Sequence, residues 1–187
     1  MKEILVILAH PNVAESRGNK ALVEAIQMLS FVKIHNLYEC YPTWQIDVQM
    51  EQDLLKHYDL IVLQYPLQWY SVPPLLKKWM DDVLTYGFAF GEGGTALQGK
   101  VLMPAITTGG SSDMYVAGGA VNFTISEFLR PIQQTASYCS MRYKTPFAVH
   151  GLLPKALGAP GTISDEQLLA AAQQYQQCLQ QLAASES

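Results

Sequence analysis

The sequence of 187 residues has few cysteines, no long apolar run and no excess of basic charge. Its cysteines are odd in number, widely spaced and outside any CxxC pattern: Cys40, Cys139 and Cys178. This usage is typical of a reducing cytoplasm, so we interpret each as a small core or surface residue. No run of about 18 apolar residues occurs, so the sequence predicts no membrane span. The N-terminus does not resemble a signal peptide, and we expect a cytoplasmic protein.

Charge and motif spacing argue against several classes of function. The 12 Lys and Arg residues and 16 Asp and Glu residues give a net charge of −4, whereas nucleic-acid binding usually needs a basic face. The four histidines lack metal-ligand spacing, and no GxSxG nucleophile elbow occurs. The dinucleotide fingerprint GxGxxG and the phosphate loop GxxxxGK[ST] are also absent. We therefore expect neither a metal nor a nucleic-acid partner.

Strand and helix patterns alternate along the chain, which predicts a single domain over residues 1–187. Alternation of this kind indicates a parallel sheet with helices on both faces. We predict an α/β flavodoxin-like three-layer sandwich, with a five-stranded parallel sheet of order 2-1-3-4-5. The predicted strands are 3–9, 31–37, 59–64, 101–107 and 144–150, and the segment 38–47 is predicted to be a loop. Four predicted helices lie around 22–29, 48–56, 73–84 and 121–138, the last with a break near Pro131. A fifth begins at a capping box at Ser164. Its predicted apolar face consists of Leu168, Leu169, Ala172, Leu179 and Leu182.

The loop after the first strand, residues 10–19, leads into a helix. A helix N-terminus offers free amides and partial positive charge to a phosphate. Ser16 and Asn19 can add hydrogen bonds, and His10 or Arg17 can add positive charge. Ser16 or Asn19 can equally serve only to cap the helix, and the residues alone leave both interpretations open.

The loop after the third strand, residues 65–70, is rich in aromatic residues. Gln68 can bond the polar edge of a ring, and Trp69 and Tyr70 can flank its face. Aromatic residues favour interfaces as strongly as ligand sites, so a dimer patch or a core plug also fits this loop.

The loop after the fourth strand begins with Thr107, Thr108, Gly109 and Gly110. Two glycines let the backbone approach a ligand closely, and their amides can bond ring nitrogens and carbonyls. Tyr115 adds a phenol that can stabilise charge on a reduced ring, although a flexible glycine loop without a ligand also fits. Together the three loops can hold a phosphate, a ring face and a polar ring edge, all of which flavin mononucleotide (FMN) has.

Three motifs together resemble the flavodoxin-fold NAD(P)H:quinone oxidoreductases. They are HPxxxxSxxN at 10–19, PLQWYSVPP at 66–74 and TTGG at 107–110. This family includes DT-diaphorase and the small bacterial flavoproteins that accompany glutathione-gated potassium efflux systems. FAFGEGGTALQGK at 88–100 is most similar to that bacterial branch.

The resemblance extends from the first strand to about His150 and implies a reaction and its cofactor. It implies FMN, with FAD as an alternative, and NAD(P)H as co-substrate. Two electrons would pass as hydride through flavin N5 to a quinone, in a ping-pong sequence. It also implies a homodimer, because the sites of this family lie between two subunits.

The resemblance also implies roles for single residues. The residues that match the phosphate loop are His10, Ser16, Arg17, Gly18 and Asn19. Those that match the segments along the ring face and polar edge are Leu67, Gln68, Trp69, Tyr70, Thr107, Thr108, Gly109 and Gly110. Tyr115 matches a catalytic tyrosine that works with a histidine six residues on in the eukaryotic enzymes, a position that is Val121 here.

Two other functions are compatible with the same sequence. The chain can be a regulatory module that docks on a potassium efflux antiporter at the inner face of the cell membrane, with or without oxidoreductase activity. It can also be a plain electron carrier, but such carriers need a strongly acidic surface, and a net charge of −4 is modest.

Overall fold

The computed structural model describes residues 1–153 and 161–185, and in them six strands form one parallel sheet. The strands are β1 Ile4–Leu8, β2 Val32–Asn36, β3 Leu60–Pro66, β4 Val101–Thr107, β5 Arg142–Tyr143 and β6 Phe147–Val149. The α-helices are α1 Arg17–Ile26, α2 Leu37–Cys40, α3 Val48–His57, α4 Pro74–Val83, α5 Ile125–Phe128, α6 Arg130–Tyr138 and α7 Asp165–Ala184. None of the described helices is both long and apolar enough to cross a membrane.

The strand order is β2-β1-β3-β4-β5, which confirms the predicted order. The fifth position is divided, however. β5 pairs with the start of β4 and β6 with its end, and Pro146, which cannot donate to a ladder, lies between them. The single fifth strand predicted over 144–150 is therefore wrong in its extent.

The central strands are buried on both faces, and each face packs against its own set of helices. In β1, Leu5 and Ile7 contact the core formed with α3, α4 and α6. Ile4 and Val6 contact the core formed with α1 and α7. Because successive side chains of a strand point to opposite faces, one apolar run supplies both cores.

Helix boundaries follow local hydrogen bonds, and some differ from the prediction. The helix predicted from residue 121 begins only at Ile125, where Thr124 and Glu127 form a capping box. It is interrupted at Leu129, which lies between α5 and α6, and Pro131 occupies the first turn of α6. The segment 38–47 is not wholly a loop, because the side chain of Asn36 caps the short helix α2.

The last helix begins at the predicted capping box, in which Ser164 and Gln167 exchange hydrogen bonds. Its buried face consists of Leu168, Ala172, Tyr175, Leu179 and Ala183. Leu169 is exposed, so its predicted place on that face is wrong. At 3.6 residues per turn, the position after Leu168 lies about 100° away from the face that Leu168 occupies.

A buried carboxylate joins β2, α3 and α4 away from the ligand loops. Glu51 accepts hydrogen bonds from Tyr41 Oη at 2.5 Å, His35 Nε2 at 2.6 Å and Trp79 Nε1 at 2.7 Å. Burial opposes ionisation of this carboxyl, but these hydrogen bonds outweigh it and lower the pKa of Glu51. We therefore interpret Glu51 as a structural centre of the core.

Candidate functional site

The three loops that the sequence singled out meet at one edge of the sheet. β1, β3 and β4 are neighbours and parallel, so their carboxyl ends open on the same side. Two hydrogen bonds connect the loops directly. Leu67 N donates to Thr107 O at 2.8 Å, and Asn19 Nδ2 donates to Thr107 Oγ1 at 2.9 Å.

Ser16 caps α1, and the cap leaves donors at the helix end for an anion. Ser16 Oγ accepts a hydrogen bond from Asn19 N at 3.1 Å, as the capping interpretation predicts. The hydroxyl proton of Ser16 is still available as a donor. The amides of Arg17 and Gly18, in the first turn, have no acceptor among residues 1–153 and 161–185. A cap and an anion site are therefore compatible here.

Arg17 and His10 flank this helix end in different ways. The Arg17 guanidinium donates to Asp165 Oδ1 at 2.7 and 3.1 Å and to Ile163 O at 2.8 Å, so its charge is shared with the start of α7. His10 Nδ1 accepts from Asn12 N at 3.1 Å, which leaves its proton on Nε2. Partial burial lowers the pKa of His10. His10 therefore offers a neutral donor rather than a fixed positive charge.

Gly18 and Asn19 are buried, and they fix α1 against the sheet. A Cβ atom on Gly18 would lie 2.4 Å from Leu152 Cδ1 and 3.2 Å from Thr107 Cγ2. Gly18 thus permits a close approach of the helix. Asn19, with its side chain bonded to Thr107, holds the position of the loop from inside.

The aromatic loop is a tight turn in which Trp69 and Tyr70 occupy the two central positions. Gln68 N donates to Ser71 O at 3.0 Å, and Ser71 N donates to Gln68 O at 2.9 Å. Trp69 has φ of 47° and Tyr70 has φ of 63°, as in a type I′ turn. Such positions favour glycine or asparagine, so aromatic residues there are held in a strained backbone. Trp69 is 94% exposed.

Tyr70 packs on an aromatic residue that the sequence prediction did not include. Its ring stacks on Phe128, with ring centroids 5.0 Å apart and an interplanar angle of 21°. Phe128 also meets Phe123 edge-on at 5.9 Å and Tyr115 at 6.3 Å. The sequence did not assign Phe128 to the site, because an apolar residue on a predicted amphipathic helix is expected to pack in the core.

The TTGG segment has bonded carbonyl oxygens and two amides without an acceptor in the described residues. The carbonyl oxygens of Thr108, Gly109 and Gly110 accept hydrogen bonds from the amides of residues 152, 153 and 151, at 3.0, 3.1 and 2.8 Å. The amides of Gly109 and Gly110 have no acceptor in the described part of the chain. A Cβ atom on Gly109 would lie 2.8 Å from Leu153 Cγ, so glycine at this position permits the two segments to pack closely.

Tyr115 lies beside a histidine, although Val121 is not one. The rings of Tyr115 and His150 are 5.5 Å apart and inclined at 40°. His150 Nδ1 lies 2.9 Å from Thr108 Oγ1, and burial lowers the pKa of its imidazole. The sequence predicts His150 at the end of the fifth strand but does not assign it to the site. The predicted strand order, in which this strand neighbours β4, could have indicated that His150 lies near the TTGG loop.

Within the described residues, no group of three or more histidine, cysteine, aspartate or glutamate side chains is arranged to hold a metal ion. The free thiols of Cys40, Cys139 and Cys178 form no disulfide. The candidate site provides amide and hydroxyl donors, two histidines with lowered pKa and a cluster of aromatic rings.

The chain as a whole is similar to known proteins. A family model described as "Flavodoxin-like fold" matches residues 2–179. The chain is 46% identical over 176 residues to the glutathione-regulated potassium-efflux system ancillary protein KefF of Salmonella schwarzengrund, and the match covers 94% of each chain.

Two solved structures are similar over nearly their whole length. General stress protein 14 of Treponema denticola, in complex with FMN, has a TM-score of 0.87 and 37% identity, over 96% of this chain and 99% of that one. An NADPH-quinone reductase of P. pentosaceus has a TM-score of 0.78 and 38% identity, over 99% of each chain.

Proposed function

The chain belongs to the family of flavodoxin-like fold, and on this premise we propose that it is an FMN-dependent NAD(P)H:quinone oxidoreductase. The observation that carries the proposal is the pair of Gly109 and Gly110 amides, which have no acceptor within residues 1–153 and 161–185. Their carbonyl oxygens face residues 151–153, so the donors alone are left for a ligand. A flavin presents acceptors along one ring edge, which matches this set.

The other two loops fit the rest of an FMN molecule. The first turn of α1, with the Ser16 hydroxyl and the Arg17 and Gly18 amides, suits a phosphate. His10 Nε2 can add a neutral hydrogen bond there. The exposed turn at Trp69 and Tyr70 suits a ring face. FMN rather than FAD is favoured because the similar Treponema denticola protein was solved with FMN.

Bound FMN would supply the hydride-accepting atom N5, through which two electrons pass from NAD(P)H to a quinone in alternating half-reactions. The protein's own residues bind and orient. The Gly109 and Gly110 amides and the Tyr115 hydroxyl would face the ring edge on which negative charge develops, and preorganised donors there favour the charged form. The stacked rings of Tyr70 and Phe128 would form an aromatic wall along one side of the flavin face and limit the access of water there.

The proposal includes a homodimer. The surface between α4 and α6 carries Phe90, whose ring packs with Tyr86 at 5.9 Å and with Tyr138 at 5.1 Å. Tyr86 and Tyr138 are nonetheless 66% and 64% exposed. Exposed aromatic clusters of this kind are typical of interface cores. Light scattering should give the mass of a dimer, and Tyr138→Glu should shift it toward the monomer.

A second candidate function is favoured by the similarity to KefF over 94% of each chain. The protein would then be an ancillary subunit of a potassium efflux transporter at the inner face of the membrane. Co-purification with the transporter, and potassium flux measured with Trp69→Ala, separate the two roles. Flux that persists after loss of quinone reduction would identify a regulatory role that does not need the reaction.

The main experiment uses purified protein. We expect a flavin absorbance spectrum, release of FMN on denaturation, bleaching by NAD(P)H without oxygen, and recovery of the absorbance on addition of a quinone. A protein that neither retains flavin nor binds added FMN would contradict the proposal. Bound flavin that NAD(P)H does not bleach would leave only the binding role.

A further inference from the structure

We infer that His150 is a positioning residue for the donor segment at 108–111, which it controls through the hydroxyl of Thr108. The inference rests on the proposed function, because the segment it positions is the one proposed to face the flavin edge.

The hydrogen count assigns the tautomer of His150. Thr108 Oγ1 lies 2.9 Å from two groups, Gly110 O and His150 Nδ1. A carbonyl oxygen only accepts, so the single hydroxyl proton of Thr108 goes to Gly110 O. Thr108 Oγ1 must then accept from His150, which places a proton on Nδ1. Burial lowers the pKa of His150, which favours the neutral ring with its lone pair on Nε2.

The peptide planes link this hydrogen-bond chain to the Ser111 amide, the last donor of the segment, next to the Gly109 and Gly110 amides. In a trans peptide the C=O and the following N–H point in opposite directions. Holding the carbonyl oxygens of Thr108 and Gly109 against residues 152 and 153 therefore points the amides of Gly109 and Gly110 away from them. Gly110 O in turn sets the amide of Ser111, and this oxygen accepts from both Gly151 N and Thr108 Oγ1.

His150 is the only side chain among the described residues that bonds the Thr108 hydroxyl. Thr108 is 2% exposed, so water cannot easily replace that donor. The imidazole also packs near the ring of Tyr115, at 5.5 Å between centroids. One ring thus contacts both the amide segment and the phenol proposed to act on the reduced flavin.

Three variants separate the hydrogen bond from the packing. His150→Asn retains an N–H donor close to the position of Nδ1, whereas His150→Phe retains a ring against Tyr115 without any donor. Thr108→Val removes the link itself. We expect His150→Phe and Thr108→Val to bind oxidised FMN about tenfold more weakly, which corresponds to the loss of one hydrogen bond to a buried partner. His150→Asn should remain within about threefold of wild type.

The reduction potential gives a readout that packing alone would not move. Reduced flavin carries negative charge at the edge that the amides face, so it should lose about a further tenfold in affinity in His150→Phe. For a two-electron couple this corresponds to a midpoint potential about 30 mV more negative. His150→Asn should restore the wild-type potential.

The tautomer can be measured on protein without flavin, by the ¹⁵N chemical shifts of the His150 ring. We expect a protonated Nδ1 and an unprotonated Nε2. The opposite tautomer, or a His150→Phe variant with wild-type FMN affinity and potential, would overturn the inference while leaving the proposed function intact. Wild-type protein that binds no FMN overturns the proposed function and the flavin part of the inference, whereas the tautomer still decides the bond to Thr108.

Discussion

Asn19 and Thr107 are bonded side chain to side chain across the base of the site, with 2.9 Å between Nδ2 and Oγ1. The bond joins α1, into which the first loop leads, to β4, from which the third loop follows. It continues inward, because Gln64 Nε2 donates to Asn19 O at 3.2 Å and Tyr175 Oη donates to Gln64 Oε1 at 3.1 Å. The predicted phosphate ligand Asn19 is thus also a structural residue of the core.

Asn19→Ala is expected to lower the free energy of unfolding by about 2 kcal/mol, because it leaves buried polar groups without their partner. Urea denaturation without flavin measures this structural part, and FMN titration measures any effect on binding. Lys20→Ala, an exposed change in the same turn, should cost less than about 0.5 kcal/mol. A stability equal to wild type in Asn19→Ala would contradict the structural role.

Gly18→Ala should destabilise the protein although alanine is the better helix former. The added Cβ would lie 2.4 Å from Leu152 Cδ1, so either α1 or Leu152 must move. Because the nearest atom ends a side chain that can turn aside, we expect a net loss of about 1 kcal/mol, at the low end for overpacked cores, and weaker FMN binding.

Leu152→Ala provides the matched test of that clash. The double variant should be more stable than the sum of the two single changes predicts, because the smaller side chain makes room for the new methyl group. Purely additive effects in the double-mutant cycle would show that the clash is not the cause.

The sequence predicted the framework better than the interior of the site. Apolar runs identified β1, β3 and β4, and parallel order then brought their loops together. Capping patterns placed the start of α7 correctly. These features depend on neighbours a few residues apart, so a local pattern is enough to predict them.

The contacts that assemble the site come from residues far apart in the chain. Phe128 became part of the aromatic cluster only once α5 was placed against Tyr70. Arg17 forms an ion pair with Asp165, and His150 contacts the hydroxyl of Thr108. Both pairs are too far apart in sequence for any periodicity to predict them. The sequence has Val121 at the position of the family histidine, whereas in the structure His150, at the end of another strand, lies beside Tyr115.

Trp69→Gly is expected to stabilise the protein and weaken its function. Trp69 has φ of 47° and is almost fully exposed, so glycine relieves strain and loses little packing. We expect a gain of about 0.5–1 kcal/mol in the free energy of unfolding. Turnover with NAD(P)H and a quinone should fall, because the stacking surface is gone.

Trp69→Phe is the control for that experiment. It keeps an aromatic face and the same strained backbone, so stability should be unchanged and turnover largely retained. A Trp69→Gly variant less stable than wild type would show that the turn is not strained.

Two buried tyrosines give a matched comparison of hydrogen bonding. The hydroxyl of Tyr65 has no partner among the described residues, whereas that of Tyr175 donates to Gln64. Tyr65→Phe removes an unsatisfied buried group and should leave the protein equally stable or up to about 1 kcal/mol more stable. Tyr175→Phe should cost about 1 kcal/mol. Urea denaturation of both variants decides, and a loss in Tyr65→Phe would reveal a partner such as an ordered water.

Stability should fall when the pH is lowered from 7.5 to 5.5, because burial lowers the pKa of both His10 and His150. The unfolded chain takes up protons near the ordinary value of about 6.5, whereas the folded protein resists until a lower pH. The contribution is therefore complete above the unfolded pKa and is lost as the pH falls toward the folded one, at no more than about 1.4 kcal/mol per pH unit for each histidine. Glu51 and Glu127, whose pKa values are lowered, titrate nearer the ordinary range of a glutamate and below this pH window.

His10→Asn and His150→Asn should each remove part of the fall in stability of the flavin-free protein, and the double variant should remove both parts. An unchanged pH dependence in the double variant would assign the effect to other groups.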